Sequence, residues 1–366
     1  MRTFALSAAF SSMNNYKVPT TQEITDTSER KAFSVVSLFA GGGGSSTGYR
    51  MAGGHVLAIN EFIPEACKTY AKNWPSTPII YGDIKAITAD EIMAAASIKA
   101  GELDILDGSP PCSAFSIAGK RSEGWGKTKA YSDTKQTSVE DLFFEYVRIL
   151  EGVQPKMFVA ENVAGLAKGN ARGYLNDILK ALRGAGYNVE ARILDALYLG
   201  VPQSRSRLIF VGVRNDLWRQ EYKGKLHPKP QAKIFNLREA FEGLENTQAD
   251  LEPTDIRKYA IYRELIKLKM GAQSKKYFQL VKAHPENPSG CITASSGASS
   301  IACIRHWENR AFTVREVKRI MSIPDDYILT GTYAQKVERM GRMVAPFMMK
   351  AVAENILSLG VLNENS

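Results

Sequence analysis

The chain has 366 residues, of which 44% are hydrophobic, and its formal net charge is +9. This length and composition are typical of a globular protein with one large domain and a smaller one, and the basic balance favours a polyanionic partner. Because no apolar run approaches the roughly 20 residues that a membrane helix needs, a membrane-spanning protein is excluded.

The first 32 residues come before any regular hydrophobic pattern. The opening MRTFALSAAFSSM contains a short apolar run that serines interrupt, and the residues after it are mostly polar. This run resembles a signal peptide only faintly. We therefore predict that residues 1–32 form a loosely ordered extension.

Short β-branched runs then alternate with helical stretches along residues 33–215. The predicted strands are SVVSLFA, HVLAINE, PIIYGDI, LDILDGS, MFVAENV and RLIFVGVR. Helical spacing is seen between them at 64–73, 139–151 and 173–185. This alternation indicates an α/β fold, with a doubly wound, mostly parallel sheet of the Rossmann-like kind.

The pattern changes after Arg214. Five prolines interrupt the following region, and residues 214–310 carry 17 Lys and Arg against 11 Asp and Glu, a local net charge of +6. We assign residues 216–305 to a small irregular domain, where we expect contacts with phosphates. Residues 306–366 regain helical patterns and are expected to pack back on the main domain at 33–215.

The first strand leads into a glycine-rich turn, FAGGGGSSTG. Gly41 and Gly43 allow a ligand to approach the backbone closely, and Glu61 and Asp83 follow the next two strands, where a carboxylate can accept ribose hydroxyl groups. The spacing differs from the dinucleotide pattern G-x-G-x-x-G, and tight packing is an alternative explanation of such a turn. With the two carboxylates, the turn favours a nucleoside-containing cofactor.

The fourth strand leads into PPCSAFSIAGKRSEGWGKTKAYSD, which contains a cysteine and a basic loop. Pro110 and Pro111 restrict the backbone before Cys112, and cations such as Lys120 and Arg121 favour its thiolate form. The alternative is that Cys112 is a small buried apolar residue. The Gly-, Ser- and Lys-rich loop favours the first interpretation, because its composition is typical of a lid that contacts phosphates.

Two further strands bring charged residues to the same edge of the sheet. Glu161 and Asn162 end the fifth strand, at the carboxyl edge where open α/β sheets bind ligands, which makes Glu161 a candidate acid. Arg205 and Arg207 enter the sixth strand at alternate positions, so both side chains are predicted to share one face. Two such groups suit a base carbonyl or a phosphate, with surface charges as the alternative.

The order of these motifs carries a family resemblance. FAGGGG, INEF, GDI, PPCSAFS, ENV, QSRSR, RAFTVREVKRIMSIPDDY and GRMV follow one another between residues 35 and 357, and the chain resembles the DNA cytosine carbon-5 methyltransferases of bacteria and phages. The resemblance implies an enzyme that acts on double-stranded DNA with S-adenosylmethionine and without a metal. Because flipping one base requires only one subunit, we expect a monomer. The residues that would bind this cofactor are Phe39, Gly41, Gly43, Glu61, Phe62, Asp83, Ile84, Pro111 and Leu142.

The same resemblance implies a role for each candidate catalytic residue. Cys112 would attack carbon 6 of a cytosine flipped out of the duplex, and Glu161 would protonate its ring nitrogen 3. Arg205 and Arg207 would hold the base and the lid. DNA contacts would come from Ser113, Lys120 and Arg121 in the lid and from Thr293 in the domain at 216–305. The chemistry agrees, because carbon 5 of cytosine becomes nucleophilic only after addition at carbon 6.

The last motif departs from the family pattern. The residue after the glycine of GRMV is normally Asn, followed by a small residue, whereas this chain has Arg342 and Met343 beside the expected cofactor. A cation about 4 Å from the positive sulfonium would cost about 4 kcal/mol at an effective dielectric of 20. Carboxy-S-adenosylmethionine would reverse that sign, which predicts carboxymethyl transfer. In the alternative, Arg342 turns outward and pairs with Glu338 or a DNA phosphate.

Two other classes of protein share most of these features. A transfer-RNA cytosine methyltransferase uses the same chemistry, and a Rossmann-like scaffold can become a catalytically silent DNA-binding protein. The basic domain favours DNA, and the complete catalytic set argues against a silent protein. Four cysteines without a CxxC pair fit a reducing compartment, so we expect the cytoplasm of a bacterium or of a phage-infected host cell. A role in restriction-modification and self-protection of phage DNA both stay open.

Overall fold

The computed structural model describes residues 15–111, 129–130, 135–136, 142–277, 279–299 and 303–363. Within these ranges the strands are β1 (Phe33–Leu38), β2 (Gly54–Glu61), β3 (Ile79–Tyr81), β4 (Ile105–Gly108), β5 (Lys129–Ala130), β6 (Lys135–Gln136), β7 (Met157–Val163), β8 (Tyr187–Asp195), β9 (Ser206–Arg214), β10 (Val281–Lys282) and β11 (Ile304–Arg305). The helices are α1 (Thr21–Ser28), α2 (Gly44–Met51), α3 (Pro64–Asn73), α4 (Ala89–Ala96), α5 (Leu142–Val153), α6 (Arg172–Gly184), α7 (Leu237–Ala240), α8 (Gln248–Leu251), α9 (Ile261–Leu265), α10 (Val314–Ile320), α11 (Tyr333–Arg342) and α12 (Pro346–Leu359).

A seven-stranded sheet forms the centre of the described chain, with the strand order β3-β2-β1-β4-β7-β9-β8. The strands from β3 to β7 run parallel, and β9 runs antiparallel to both of its neighbours. This confirms the predicted doubly wound, mostly parallel sheet. Because β9 runs in the opposite direction, its first residues lie at the edge where β7 ends, and Arg207 pairs with Val163 in the register.

One strand of the sheet, β8, is missing from the predicted set. It is one of the two edge strands, it carries charges at Glu190 and Arg192, and few of its side chains are fully buried. The prediction relied on continuous apolar runs, which indicate strands buried on both faces. An edge strand with exposed charged positions lacks that signal.

Helices cover both faces of the sheet, and successive strand residues point to opposite sides. Val35 belongs to the apolar core under α2 and α12, whereas Val36 belongs to the core under α4, α5 and α6. Because α12 packs against α2, the last helix of the chain lies on the main domain beside the first strand-to-helix turn.

The N-terminal segment is folded where the structure describes it, in contrast to the predicted loose extension. α1 begins with a capping box between Thr20 and Glu23, and Ile24 is buried in the core. The hydroxyl of Tyr16 donates a hydrogen bond to the carbonyl of Arg319. The sequence understates this order because α1 has 8 residues and buries only Ile24 and Ser28, too few for a clear helical period.

The basic region folds in two parts, so the predicted boundary at residue 216 is not the boundary between cores. Leu226 and Phe235 pack into the core of the main domain. A separate small core begins later in the chain and consists of Ile256, Ile261, Leu265, Leu280 and Ala311. The sequence places the boundary where the hydrophobic periodicity ends. Segments without such periodicity also bury apolar side chains against a neighbouring core.

The contact between α2 and α12 depends on a glycine. A Cβ atom at Gly48 would lie 2.5 Å from the carbonyl oxygen of Pro346 and 2.7 Å from Cβ of Met349. We expect Gly48→Ala to lower the free energy of unfolding by about 1–3 kcal/mol, because overpacking displaces backbone atoms. The matched control is Gly173→Ala in α6, where no atom lies within 4 Å of the new Cβ; it should stabilise by up to about 1 kcal/mol. Denaturant titration measures both, and equal effects would contradict this packing.

Candidate active site

The loop between β1 and α2 (residues 39–43, the glycine loop) follows β1 at the carboxyl edge of the sheet. Gly41 and Gly43 have φ values of 56° and 89°, in the left-handed region that favours glycine, and Phe39 has a φ of 54°. A Cβ atom at Gly42 would lie 2.0 Å from Cε of Met343, whereas one at Gly41 would meet no atom within 4 Å. The loop is therefore packed on one side and open to a ligand on the other.

Glu61, at the end of β2, holds the glycine loop in place. Its carboxylate accepts hydrogen bonds from the backbone N–H groups of Gly41 (2.6 Å), Phe62 (2.8 Å) and Ile63 (2.8 Å). The side chain is buried, and this burial raises the pKa of its carboxyl group. The oxygen that faces Gly41 makes one of these bonds and keeps acceptor capacity for a ribose hydroxyl group.

The other predicted cofactor residues lie after neighbouring strands. The carboxylate of Asp83, just after β3, accepts a hydrogen bond from the N–H of Lys85 at 3.1 Å. Pro111 is half-buried after β4. Ile84 and Leu142 are buried in the apolar core on one face of the sheet. The strand order therefore brings Asp83 and Pro111 to the same edge as the glycine loop, with Ile84 and Leu142 supporting that edge from the core.

An acid–arginine pair lies at the same edge of the sheet. Nε of Arg207, the second residue of β9, lies 2.7 Å from Oε1 of Glu161 near the end of β7. The side chains are 14% and 12% exposed. Because the pair is largely shielded from water, its two charges interact more strongly than an exposed ion pair would.

The end of β7 is also tied to the segment that leads to Cys112. Nδ2 of Asn162 donates a hydrogen bond to the carbonyl oxygen of Pro110 at 3.3 Å, and its Oδ1 accepts one from the N–H of Val163 at 2.8 Å. Glu161 is therefore held close to the residues before the predicted nucleophile. The predicted site residues Cys112, Ser113, Lys120 and Arg121 lie outside the described residues.

The alternation predicted that Arg205 and Arg207 share one face of the strand. In the structure, Arg205 does not face the site with Arg207. Its side chain is 1% exposed and donates hydrogen bonds to backbone carbonyl oxygens. The two-residue alternation holds only inside a strand, and β9 begins at Ser206. The predicted contact of Arg205 with a base is therefore replaced by an internal one.

Thr293 lies beside the turn that joins α11 to α12. Its N–H donates a hydrogen bond to Oγ of Ser296 at 2.9 Å. A Cβ atom at Gly341 would lie only 2.3 Å from the carbonyl carbon and oxygen of Thr293, so the two backbones are in close contact. Thr293, which is predicted to face the target base, thus adjoins the turn with Arg342 and Met343, which are predicted to lie beside the transferred group.

Arg342 pairs with a carboxylate on its own helix. Its Nε and Nη2 lie 3.0 Å and 2.7 Å from Oε1 of Glu338, one turn earlier in α11. This is the arrangement that the alternative interpretation of Arg342 predicted. Met343 is buried, and its side chain packs against the glycine loop at Gly42. Met343 is therefore a residue of this turn that contacts the loop.

A buried acid under the site was missed by the sequence analysis. Asp107, near the end of β4, accepts hydrogen bonds from the hydroxyls of Ser37 (2.6 Å) and Tyr49 (3.1 Å). Burial raises the pKa of Asp107 to about 7, and the charge of Glu161 contributes in the same direction. The signal was present in the sequence, because an acid inside the apolar run LDILDGS requires buried partners.

Metal and membrane sites are absent from the part of the chain that the structure describes. Within it, no group of three or more His, Cys, Asp or Glu side chains is arranged to hold a metal ion. None of the described helices is both long and apolar enough to cross a membrane.

The fold is that of the Rossmann-like, S-adenosylmethionine-dependent methyltransferases. A doubly wound sheet carries an open glycine loop, a buried carboxylate after the second strand and an acid–arginine pair at one edge. The family model described as C-5 cytosine-specific DNA methylase matches residues 33–358. The chain belongs to this family of methyltransferases.

Individual relatives agree with this assignment. The chain is 31% identical over 338 residues to the Type II methyltransferase M1.HphI of Haemophilus parahaemolyticus, across 88% of this chain and 86% of that protein. It is 29% identical over 357 residues to the Type II methyltransferase M.Eco47II of Escherichia coli, across 89% of this chain and 79% of that protein.

Solved structures share the fold at lower identity. A prophage-encoded E. coli protein described as a DNA modification methyltransferase superposes with a TM-score of 0.70 at 21% identity, across 91% of this chain and 100% of that chain. The S. pombe Dnmt2 methyltransferase gives a TM-score of 0.62 at 20% identity, across 89% and 97%. These likenesses bear on the fold alone.

Proposed function

We propose that the protein is a sequence-specific DNA methyltransferase that transfers a methyl group from S-adenosylmethionine to carbon 5 of cytosine in double-stranded DNA. The observation that carries the proposal is the Glu161–Arg207 pair, with its 2.7 Å contact, held beside the prolines that precede Cys112. Family membership supports the choice of DNA and of the donor.

The residues around the glycine loop fit S-adenosylmethionine. The open side of the loop at Gly41 leaves room for a ligand, Glu61 retains an acceptor for a ribose hydroxyl, and Asp83 lies after the next strand. When bound, the donor supplies a methyl group activated by a positive sulfonium. Phe39 and Phe62 flank this region in the chain, and we assign them to the same binding site.

The catalytic residues act on the cytosine. The Cys112 thiolate adds to carbon 6 while Glu161, which first takes up a proton from solvent, donates that proton to ring nitrogen 3, and carbon 5 thereby gains the electron density to attack the methyl carbon. Arg207 balances the charge that remains on Glu161. Water then removes the proton on carbon 5, the bond between Cys112 and carbon 6 breaks, and nitrogen 3 returns its proton to Glu161.

Base extrusion is a necessary part of this proposal. Carbon 6 of a stacked cytosine is inaccessible to a thiolate, so the base must leave the duplex at a cost of a few kcal/mol. We assign Ser113, Lys120 and Arg121, in the loop after Cys112, to contacts with the opened DNA, and Thr293 to the flipped base. The local charge of +6 between residues 214 and 310 supports phosphate contacts by that region.

The position of Arg342 favours ordinary methyl transfer. Because Glu338 lies 2.7 Å from its Nη2, the cation is balanced and repels a sulfonium less than an unpaired arginine would. Carboxymethyl transfer from carboxy-S-adenosylmethionine is the second candidate. It requires Arg342 to leave Glu338 and bind the carboxylate of the donor.

Competition between the two donors tests this choice. With equal amounts of both and duplex DNA, we expect 5-methylcytosine as the dominant product, both for the natural chain and for Arg342→Asn. Mass spectrometry of the released nucleosides measures the ratio, and Arg315→Asn is a control for the loss of a partly exposed arginine outside the turn. Dominant 5-carboxymethylcytosine that disappears in Arg342→Asn would establish the second candidate instead.

Two rival functions give different results in the same assay. A tRNA cytosine methyltransferase would modify tRNA in preference to duplex DNA, and a silent DNA-binding protein would bind duplex without any transfer. We expect transfer to duplex DNA to exceed transfer to tRNA when the two are present at equal cytosine concentration. The opposite order would favour the RNA enzyme.

A further inference from the structure

One buried guanidinium joins two separate segments of the backbone. Nη1 of Arg205 donates a hydrogen bond to the carbonyl oxygen of Ile292 at 2.8 Å. Its Nη2 donates to the carbonyl oxygens of Gly341 at 2.9 Å and Met343 at 2.7 Å. The first acceptor belongs to the segment that leads to Thr293, and the other two flank Arg342 in the turn that packs on the glycine loop.

The residues before Arg205 fix the same segment. The N–H of Ser204 donates to the carbonyl of Ser289 at 2.8 Å, and the N–H of Ser289 donates to the carbonyl of Pro202 at 2.9 Å. Oε1 of the buried Gln203 accepts a hydrogen bond from the N–H of Ile292 at 2.9 Å. Residues 202–205 therefore hold residues 289–292 in a defined register, and Arg205 is the member of this set that also reaches the α11–α12 turn.

The environment of Arg205 is built for an internal role. Among the described residues it has no carboxylate partner within ion-pair distance, so backbone dipoles solvate its charge, and burial lowers its pKa to about 10. A planar guanidinium presents several donors in a fixed geometry, and a lysine ammonium does not reproduce that geometry. Burying this charge costs free energy, and the hydrogen bonds to the three carbonyl groups offset that cost only while those groups keep their positions.

We propose that Arg205 is a positioning residue that sets the distance between the target-base side of the site, at Thr293, and the donor side, at Met343. This inference rests on the proposed function. In this role Arg205 contacts neither DNA nor donor. When one of them binds, the change in its side of the site shifts the other side through the two backbone segments that Arg205 joins.

Arg205→Lys tests the proposal in the full-length protein. We expect kcat at saturating DNA and donor to fall by at least about 10-fold. In the natural chain we expect S-adenosylhomocysteine to increase the affinity for duplex DNA by about 5-fold or more, the usual size of coupling between two sites. In Arg205→Lys we expect this increase to be less than about 2-fold. The affinity for duplex without S-adenosylhomocysteine, and its dependence on salt, should be unchanged.

A second variant removes the coupling without changing Arg205. In Gly341→Ala the new Cβ would lie 2.3 Å from the carbonyl of Thr293 and separate the two segments, so the same loss of coupling is expected. The control is Arg214→Lys, which alters a mostly buried arginine at the far end of β9, paired with Asp216. That substitution should lower the melting temperature and leave the coupling intact.

Three outcomes would overturn the proposal. A salt slope of log Kd that decreases by about 0.9 in Arg205→Met, which removes the positive charge, would show a phosphate contact. Lower thermal stability with unchanged kcat and unchanged coupling would show a purely structural role. Absence of coupling in the natural chain would remove the effect that Arg205 is proposed to transmit. If the natural chain transfers no methyl group, the proposed function fails, and the binding measurements still decide the role of Arg205.

Discussion

Replacing Cys112 by alanine is expected to abolish methyl transfer, with kcat lower by on the order of 10⁴-fold or more. Without a thiolate at carbon 6, carbon 5 of the cytosine does not become nucleophilic, and the other groups of the site cannot substitute for that covalent bond. Binding of duplex DNA and of S-adenosylhomocysteine should stay within a few-fold of the natural chain. Transfer of labelled methyl groups to duplex DNA measures the first effect, and calorimetric titration measures the second.

A matched cysteine provides the control for this experiment. Cys303 is buried next to β11 and takes no part in the proposed site. Cys303→Ala should retain transfer activity within about 2-fold and lose some stability through the smaller side chain. Transfer that persists in Cys112→Ala at a rate near that of Cys303→Ala would refute the covalent mechanism.

Glu161→Gln is expected to lower kcat by about 10²–10⁴-fold while Cys112 is intact. Glutamine keeps the shape of the side chain but cannot donate a carboxylic proton to ring nitrogen 3, and it also loses the ion pair with Arg207 at 2.7 Å. Duplex affinity is measured separately from turnover, and we expect the larger change in kcat because the pair lies at the site. Single-turnover kinetics isolates the chemical step from product release.

The control for Glu161→Gln is the same change at another ion pair. Glu145 pairs with Arg148 at 2.8 Å on α5, three residues apart on the helix surface. Glu145→Gln should cost about 0–1 kcal/mol of stability and leave kcat unchanged. A fall in kcat of equal size in both variants, or no fall in Glu161→Gln, would remove Glu161 from the role of proton donor.

Five strands of the main sheet, β1, β2, β4, β7 and β9, were predictable because most of their side chains are buried. The run HVLAINE predicted β2, and MFVAENV predicted β7, since apolar and β-branched residues mark such strands without reference to the rest of the chain. β8 and α1 were not predictable in this way. β8 is held by its pairing with β9, and α1 is held by the burial of Ile24 in the main core. Local composition does not reveal either contact.

The candidate site shows the same division between local and distant causes. The sequence placed Glu161 at the edge where ligands bind in such folds, and the structure places Arg207 beside it. The internal role of Arg205 depends on carbonyl groups at Ile292 and Gly341, which lie far along the chain. Spacing within QSRSR carries no information about those acceptors.

The direction of Arg342 was predicted only as a choice between two alternatives. The four-residue spacing from Glu338 allowed a pair on one helix, and the position in the GRMV motif allowed contact with the donor. The structure continues α11 through Gly341 to Arg342, which places the two side chains one turn apart. Whether a helix continues through a glycine depends on what packs against it, here the backbone of Thr293.

The most direct test of the account is covalent capture on a duplex that carries 5-fluorocytosine at the recognised cytosine. After methyl transfer to carbon 5, the fluorine there cannot leave as a cation, so the bond between carbon 6 and the protein persists. With S-adenosylmethionine, we predict a complex that survives denaturing electrophoresis and whose DNA-linked peptide contains Cys112. Methyl transfer to normal duplex without any such complex, or a complex linked through another residue, would contradict the central claim that Cys112 adds to the flipped base.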